Sequence, residues 1–316
     1  MTADLSGYTL DSSAVELSVV VPCTNTLGDL ERTLRALERE RDHVGLEIIA
    51  VNRIGLSVSQ VIRERHPSVR LIEAAETVAI PAMRRIAFAA ARGEFIAVIE
   101  DHVTVPPGWA RALLDAGRTA NRLSTHRGAV VGGSVANAAT STVVDWAAFL
   151  CEYSHCLTPL HAGASTWLTG NNVAYPRALL LRYLAQLPPD GWENRLHELM
   201  IADGVQLIMH PEISVDHEKH YSALEYLTQR YLYARSFAGA RVAGRPVRHR
   251  VVLAILAVAL PPLLLGRLVA RVFGKRRHRV LLLRSLPLLT LFVCAWAAGE
   301  MIGYGLGAGD SLARVR

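Results

Sequence analysis

The chain has 316 residues, of which 51% are hydrophobic and 20% charged, with a formal net charge of +6. This length exceeds one average domain, and the apolar content is high for a wholly soluble protein. The charge is uneven, because residues 241–316 contain 13 Lys and Arg against 2 Asp and Glu, whereas residues 1–240 contain 21 against 26. The acidic N-terminal part argues against nucleic acid as a partner, and the basic, apolar C-terminal part fits an anionic membrane surface.

The N-terminus gives no sign of export. Residues 1–15 are polar, with neither a basic n-region nor an apolar h-region. We therefore expect a disordered N-terminus, no signal peptide, and a following domain that stays in the cytoplasm. The cysteines lack metal-ligand spacing, which predicts packing roles in a reducing compartment; they are Cys23, Cys151, Cys156 and Cys294.

Strand-like and helix-like segments alternate from residue 16 onward. Apolar runs rich in β-branched residues predict strands, and apolar residues at helical spacing predict helices. The predicted strands cover 16–21, 45–51 and 69–72, and the predicted helices cover 27–37, 58–65 and 80–91. This alternation predicts an α/β fold with a mostly parallel sheet covered by helices on both faces.

The clearest chemistry follows the next predicted strand. A β-branched apolar run ends at Glu100, Asp101 and His102, and a helix is predicted from Trp109. Open α/β sheets bind ligands at the C-terminal ends of their strands. Two carboxylates and an imidazole suit Mg²⁺ or Mn²⁺ beside a diphosphate. The alternative is that the acidic residues only cap the following helix.

Several motifs in chain order together resemble the nucleotide-sugar half of a family 2 glycosyltransferase with the GT-A fold. They are a strand ending Val-Val-Val-Pro followed by Asn25, a helix ending Ala-Arg-Gly-Glu, and an acidic triplet followed by Pro-Pro-Gly-Trp. The resemblance covers roughly residues 16–240. It implies a Rossmann-like mixed sheet in a domain spanning 16–220.

The resemblance also implies a metal site and a donor site. Glu100-Asp101-His102 stands where the family has its Asp-x-Asp motif, with His102 as principal ligand and Glu100 beside it or facing the ribose. His217, after a late predicted strand, would approach the metal or diphosphate, although a lone His is as often structural. The implied cofactor is Mn²⁺ or Mg²⁺ and the implied donor a UDP- or GDP-sugar. The implied donor-binding residues are Pro22, Thr24, Asn25, Asn52, Arg84, Arg85 and Asp101. Asn52-Arg53 replaces the family's usual Asp pair, so no ionised acceptor is available there.

The acceptor side is expected in the second half of the domain. A predicted strand over 129–135 contains two glycines, which indicates close approach of a ligand or another backbone. A helix over 145–155 carries an aromatic stripe that includes Tyr153, for which core packing is the favoured interpretation. The resemblance places Gly170, Asn171, Asn172 and Trp192 beside the sugar and acceptor, although Gly-Asn also suits a plain turn.

An inverting transfer needs a carboxylate that takes the proton of the acceptor hydroxyl. The family supplies it from a Glu-Asp pair, which in this chain reads Glu193-Asn194. Glu193 is therefore the candidate base and Glu198 the reserve, with an ordinary helix surface as the alternative for both.

The C-terminal part is expected to bind membrane. Residues 221–250 predict an amphipathic helix, either interfacial or docking. Two apolar helices within 251–309 flank a basic loop at 274–279, and residues 310–316 form a tail. Two spanning helices would place that loop opposite the catalytic domain, against the positive-inside bias, whereas a re-entrant hairpin would not. Spanning is favoured because a hairpin must bury its own turn in protein. Gln229-Arg230 resembles part of the Gln-x-x-Arg-Trp signature of processive synthases, but the spacing differs.

The sequence thus predicts a membrane-anchored, inverting, metal-assisted glycosyltransferase at the inner plasma membrane, with its catalytic domain in the cytoplasm. Its acceptor would be lipid-linked or glycan, in cell-envelope polysaccharide or glycolipid synthesis. The alternative is a catalytically silent relative that binds nucleotide sugar or a partner enzyme, which Asn52-Arg53 and Asn194 favour. A nucleotidyltransferase would need a Gly- and Lys-rich first loop, which this sequence lacks.

Overall fold

The structure, a computed structural model, describes residues 15–124, 127–187 and 193–315. The strands are β1 (Leu17–Cys23), β2 (Leu46–Asn52), β3 (Arg70–Glu73), β4 (Phe95–Val98), β5 (Val103–Thr104), β6 (Ala129–Asn137), β7 (Gly163–Ser165), β8 (Val173–Pro176) and β9 (Gln206–His217). The helices of the first domain are α1 (Leu27–Arg39), α2 (Leu56–Arg65), α3 (Ile80–Ala90), α4 (Trp109–Leu123), α5 (Val143–Tyr153), α6 (Arg177–Leu184) and α7 (Glu193–Ala202). They are followed by α8 (Ala223–Arg241), α9 (Val247–Leu256), α10 (Leu260–Gly274) and α11 (Arg279–Leu306).

The described strands form one mixed sheet in the order β3-β2-β1-β4-β8-β6-β9-β5, with β7 paired to β9. The first four of these run parallel, so the carboxyl ends of β1, β2 and β4 meet at one edge. β8 is antiparallel to both β4 and β6, and β6 is parallel to β9. Parallel pairing therefore dominates the N-terminal half, and mixed pairing the half that carries β9.

The central strands are buried on both faces. Along β1, Leu17, Val19 and Val21 join one apolar cluster, whereas Val20 joins a second. Successive side chains of a strand point to opposite faces, so two layers of helices cover the sheet. This explains why these strands read as continuous apolar runs.

Two glycines in β6 permit a close approach of other backbone. A Cβ at Gly132 would lie 2.8 Å from the carbonyl oxygen of Asn172, and one at Gly133 would lie 1.7 Å from that of Ile213. The β6–β9 register shifts at the same place, between Gly133 and Ser134. The two glycines thus leave room for neighbouring backbone where the β6–β9 register shifts. The sequence indicated such a close approach, by a ligand or by another backbone.

The C-terminal helices contain two segments that are long and apolar enough to cross a membrane, Val247–Gly274 and Arg279–Leu306, each of 28 residues. Only 11% and 33% of their most apolar windows are buried within the protein. The first segment passes through a 3-10 turn at Ala257–Ala259 between α9 and α10. The second, α11, packs closely on α8, because a Cβ at Gly299 would lie 2.4 Å from the carbonyl oxygen of Tyr231.

The basic loop between these segments lies against the sheet domain. Lys275 donates to the carbonyl oxygens of Leu157 and His155, and Arg271 donates to the Oγ of Ser154 at 3.1 Å. Arg277 donates to Thr158 just beyond. The loop is therefore bonded to the segment that follows α5.

We expect Gly133→Ala to destabilise the protein by about 3 kcal/mol or more, because its methyl group meets a backbone carbonyl that cannot move without breaking the β6–β9 register. Gly28→Ala is the matched control, since its nearest neighbour would lie 3.9 Å away. This helical position should gain up to about 1 kcal/mol. Thermal unfolding of both variants in one detergent measures the difference. Equal unfolding temperatures would contradict the close approach.

Candidate functional site

Asp101 ties the loop after β1 to the end of β4. Its Oδ2 accepts the backbone N–H groups of Thr24 at 2.6 Å and Asn25 at 2.8 Å, and its Oδ1 accepts Asn25 Nδ2 at 2.6 Å. Burial alone would raise the pKa of this carboxyl, but the hydrogen bonds from His102, Asn25 and Thr24 lower it. Asp101 is 1% exposed and does not line the cavity described below, so its hydrogen bonds hold the site from behind.

Asp101 also orients His102. The Nδ1 of His102 lies 3.0 Å from Asp101 Oδ1, which assigns the proton to Nδ1 and leaves Nε2 with a lone pair. That Nε2 lies 3.0 Å from Nε2 of His217 and 3.4 Å from Oε2 of Glu100. The β5–β9 pairing sets Val103 opposite His217 and so brings the two histidines together.

Glu100, His102 and His217 together form a set that could hold a metal ion, with ligand atoms within 4.8 Å of one another. Burial, together with the nearby positive charge of Lys219, lowers the pKa of His217 well below its usual value, so this imidazole is neutral. The two Nε2 atoms lie 3.0 Å apart, close enough to share one proton, and with the protons on the Nδ1 atoms both Nε2 atoms could ligate the same cation. The donor set therefore fits a divalent cation, as the sequence predicted for these residues.

A cavity of about 320 Å³ begins at Glu100 and extends towards the C-terminal helices. Its lining comes from the end of β4, the 168–171 loop, helices α3, α5, α7, α8 and α11, and the C-terminal segment. The lining residues include Arg84, Glu100, Glu152, Tyr153, Gly170, Asn171, Asn194, Tyr226, Arg230, Trp296 and Val315.

Glu100 is the most connected carboxylate in the cavity. Its Oε2 accepts Tyr153 OH at 3.1 Å and Asn171 Nδ2 at 3.2 Å, and its Oε1 lies 3.6 Å from the Arg84 guanidinium. Arg84, Gly170 and Asn171, for which donor or sugar binding was predicted, all line this cavity. Tyr153 packs in the core, as expected, because its ring belongs to the main apolar cluster, and its hydroxyl in addition reaches Glu100.

Three residues predicted to bind ligand serve the scaffold instead. The Nδ2 of Asn52 donates to Gly55 O and Ser59 Oγ, both at 2.9 Å, and so ties the end of β2 to the first turns of α2. The guanidinium of Arg85 donates to Leu184 O and Leu187 O behind α6. The side chains of Asn52 and Arg85 therefore hydrogen-bond to the protein itself.

Asn172 is the third residue that was predicted to bind ligand and that hydrogen-bonds within the protein instead. Its Nδ2 donates to Ser134 O and Ile213 O at 2.8 Å each, and its Oδ1 accepts Trp109 Nε1 at 3.0 Å. Both amide hydrogens therefore hold the β6 bulge. Asn172 differs in this respect from its neighbour Asn171.

The other residues predicted to bind donor or acceptor, or to act as base, lie in separate parts of the chain. Pro22 is buried within β1, and Thr24 contributes its N–H to Asp101. Trp192 lies outside the described residues. Glu193 begins α7, next to Asn194, which lines the cavity. Glu198 is exposed, pairs with Arg195 at 2.8 Å and does not line the described cavity, which weakens its role as reserve base.

Sequence reasoning missed several residues around the cavity. Arg230 lies over the Trp296 ring at 4.3 Å, with Glu152 3.9 Å from its guanidinium. Lys219 donates to Asn25 Oδ1 beside the metal-ligand set. The pair Gln229-Arg230 was the available signal for this wall, but Trp296 stands in a different helix, so no spacing could reveal it.

Arg53 binds the C-terminal segment. Its guanidinium donates to Val78 O at 2.7 Å and to the carbonyl oxygens of Ala313 and Val315. The side chain that replaces a family acid is thus committed to the chain itself. Val315 in turn lines the cavity.

A mixed sheet with a metal-ligand set at its strand ends is the architecture of GT-A glycosyltransferases. Residues 18–150 match the family model described as glycosyl transferase family 2, so this part of the chain is a family 2 glycosyltransferase domain.

Two solved structures resemble the fold. The mannosyltransferase PcManGT of Pyrobaculum calidifontis, in complex with GDP-Man and Mn²⁺, has 18% identity and a TM-score of 0.53, and the alignment covers 92% of this chain and 88% of that one. GalNAc-T7 with UDP, GalNAc and Mn²⁺ has 15% identity and a TM-score of 0.50, covering 66% of this chain. The match spans 44% of the GalNAc-T7 chain. The search of curated proteins found no match.

We expect His102→Ala to weaken Mn²⁺ binding by at least about a hundredfold, because it removes a nitrogen ligand from a three-residue set. His210→Ala is the control, since His210 lies on the same strand as His217 but pairs with Glu212 on the surface. Electron paramagnetic resonance of free Mn²⁺ measures both. Equal binding by the two variants would remove His102 from the site.

Proposed function

We propose that this protein transfers a sugar from a UDP- or GDP-sugar to a lipid-linked or glycan acceptor at the inner plasma membrane. The reaction would serve cell-envelope polysaccharide or glycolipid synthesis, with the catalytic domain in the cytoplasm. The observation that carries the proposal is the set Glu100, His102 and His217, which meets the cavity at Glu100. The nucleotides and Mn²⁺ present in both similar structures support it.

The donor atoms favour Mn²⁺ over Mg²⁺. Two imidazoles and one carboxylate are a mixed nitrogen and oxygen set, whereas Mg²⁺ strongly prefers oxygen ligands and water. A cation bound here would neutralise the negative charge that develops on the leaving diphosphate. Glu100, His102 and His217 are the residues that would hold it.

The protein's own cations extend this charge. Arg84 lies 3.6 Å from Glu100, and Lys219 is held at Asn25 beside the same set. A diphosphate between them would meet positive charge in a partly buried site, where such interactions are stronger than in water. The loop of Thr24 and Asn25, fixed by Asp101, would form the floor.

The acceptor would enter from the opposite wall. Arg230 and Trp296 offer a guanidinium and an aromatic ring, which suit an anionic lipid-linked group or a sugar ring, and Tyr226 is buried against Arg230. Arg230 belongs to α8, and Trp296 belongs to α11, which is the second of the two apolar C-terminal segments. An acceptor held in a membrane would reach the cavity by this route.

The base for an inverting step must be a carboxylate near the acceptor hydroxyl. We keep Glu193 as first candidate, because it adjoins the cavity-lining Asn194. The second candidate is Glu152, which the structure brings into the cavity and whose side chain is 36% exposed there. Burial raises the pKa of Glu152, which moves it towards the range useful for a base.

We expect Glu193→Gln to lower kcat by about 10² to 10⁴ while leaving donor binding unchanged, because the amide keeps the shape and cannot accept a proton. Glu198→Gln, one turn further on the same helix, is the control and should stay within about twofold. Transfer to membrane acceptors and donor affinity are measured in parallel. If Glu152→Gln shows the loss instead, Glu152 is the base.

The alternative is a silent glycosyltransferase that only binds nucleotide sugar, which Asn194 favours because the family has an acid there. Asn194→Asp separates the two possibilities. In an active enzyme using Glu193, kcat should change modestly or fall, since adjacent carboxylates repel each other. If this variant gains transfer that the native chain lacks entirely, the native chain is the silent form.

A further inference from the structure

Helix α11 is attached to the sheet domain and α8 along its whole length. Its buried side chains recur at helical spacing from one end to the other; they are Leu282, Ser285, Leu289, Phe292, Val293, Ala297, Glu300, Gly303 and Tyr304. Leu282, Leu289 and Phe292 belong to the same apolar cluster as β1 and α5. α11 is thus part of the domain's core.

Both ends of α11 contact the domain. At its start, the His278 ring lies 4.9 Å from that of Trp146 in α5, and Lys275 binds the carbonyl oxygens after α5. Near its end, Gly303 contacts the backbone of Arg235 in α8. A helix of 28 residues is about 42 Å long, and a bilayer core is about 30 Å thick. Crossing a membrane would therefore carry α5 and the cavity wall into lipid or tear these contacts apart.

The opposite stripe of α11 is exposed and almost uncharged. It contains Val280, Leu283, Pro287, Leu291, Cys294 and Met301 with a single basic residue, Arg284. Leu283 and Leu291 are more than half exposed, at 55% and 53%. α9 adds Val251, Val252, Ile255 and Leu256 to the exposed apolar surface. A helix facing water would carry charge here.

The basic residues beside the exposed apolar stripes indicate what covers them. Basic residues flank the apolar stretches, with Arg245 before α9 and Arg248 in its first turn, and with Arg276 and Arg277 before α11 and Arg279 at its first position. A second copy of the chain would bring these like charges together. Anionic lipid headgroups would match them at both ends at once.

We propose that α9, α10 and α11 lie in the plane of the membrane, with their exposed apolar stripes in one leaflet and the 275–278 loop on the same side as the catalytic domain. The inference rests on packing and charge and is independent of sugar transfer. It replaces the two spanning helices that the sequence favoured.

The test uses full-length protein with Cys294→Ser, in cells and in inverted membrane vesicles. Arg276→Cys places one thiol in the exposed loop, and Glu76→Cys places one on the exposed surface of the catalytic domain as a marker of its side. A membrane-impermeant maleimide should label both variants from the same side. Labelling of the Arg276→Cys variant only from the other side, or from neither side in intact membranes, would overturn the proposal.

A second measurement asks whether lipid contacts the exposed stripe. The double variant Leu283→Glu, Leu291→Glu should lose at least about tenfold in flotation with phosphatidylethanolamine and phosphatidylglycerol vesicles, since each carboxylate opposes burial in lipid. Leu123→Glu, which changes an exposed leucine at the end of α4, should float like the native protein. Thermal unfolding confirms that both variants are folded. Equal flotation of both, or a dimer that buries the stripe without lipid, would refute the membrane contact.

Discussion

The site depends on the buried carboxylate of Asp101. It receives backbone and side-chain hydrogens from the loop after β1, and it orients the imidazole of His102. Hydrogen bonds to a charged group contribute about 1.5–3 kcal/mol each, so four such contacts hold the loop and the imidazole in one arrangement. Glu100 and His102, on either side of Asp101 in the chain, are thereby held together, with Glu100 lining the cavity. Asp101, the middle residue of the triplet, therefore positions the residues on either side of it.

The sequence predicted the strands and the candidate metal ligands because both leave local patterns. The buried strands read as apolar runs, and Glu100 with His102 stands where such a run stops. It could not separate Asn171 from Asn172, because only the β6 bulge determines which amide turns inward. The short strands β7 and β8 were missed for a similar reason. Their pairing depends on partners far along the chain.

The wall formed by α8 and α11 was hidden for a different reason. Arg230 and Trp296 meet through helix packing, which no spacing in the sequence encodes. The apolar C-terminal segments were read as spans because length and composition are the same for a spanning helix and for one that lies on its side. Polar contacts of Lys275 and Arg271 distinguish the two. The in-plane arrangement also removes the conflict with the positive-inside bias.

Arg53 connects two parts of the chain that are far apart in the sequence. A buried guanidinium needs oxygen partners, and this one takes them from the turn before α3 and from the segment after α11. Arg84, in α3, and Val315 both line the cavity. The chain thus returns from its lipid-facing helices to the edge of the donor site and is fastened there. A shift of α11 would be transmitted to the cavity directly, without passing through the sheet.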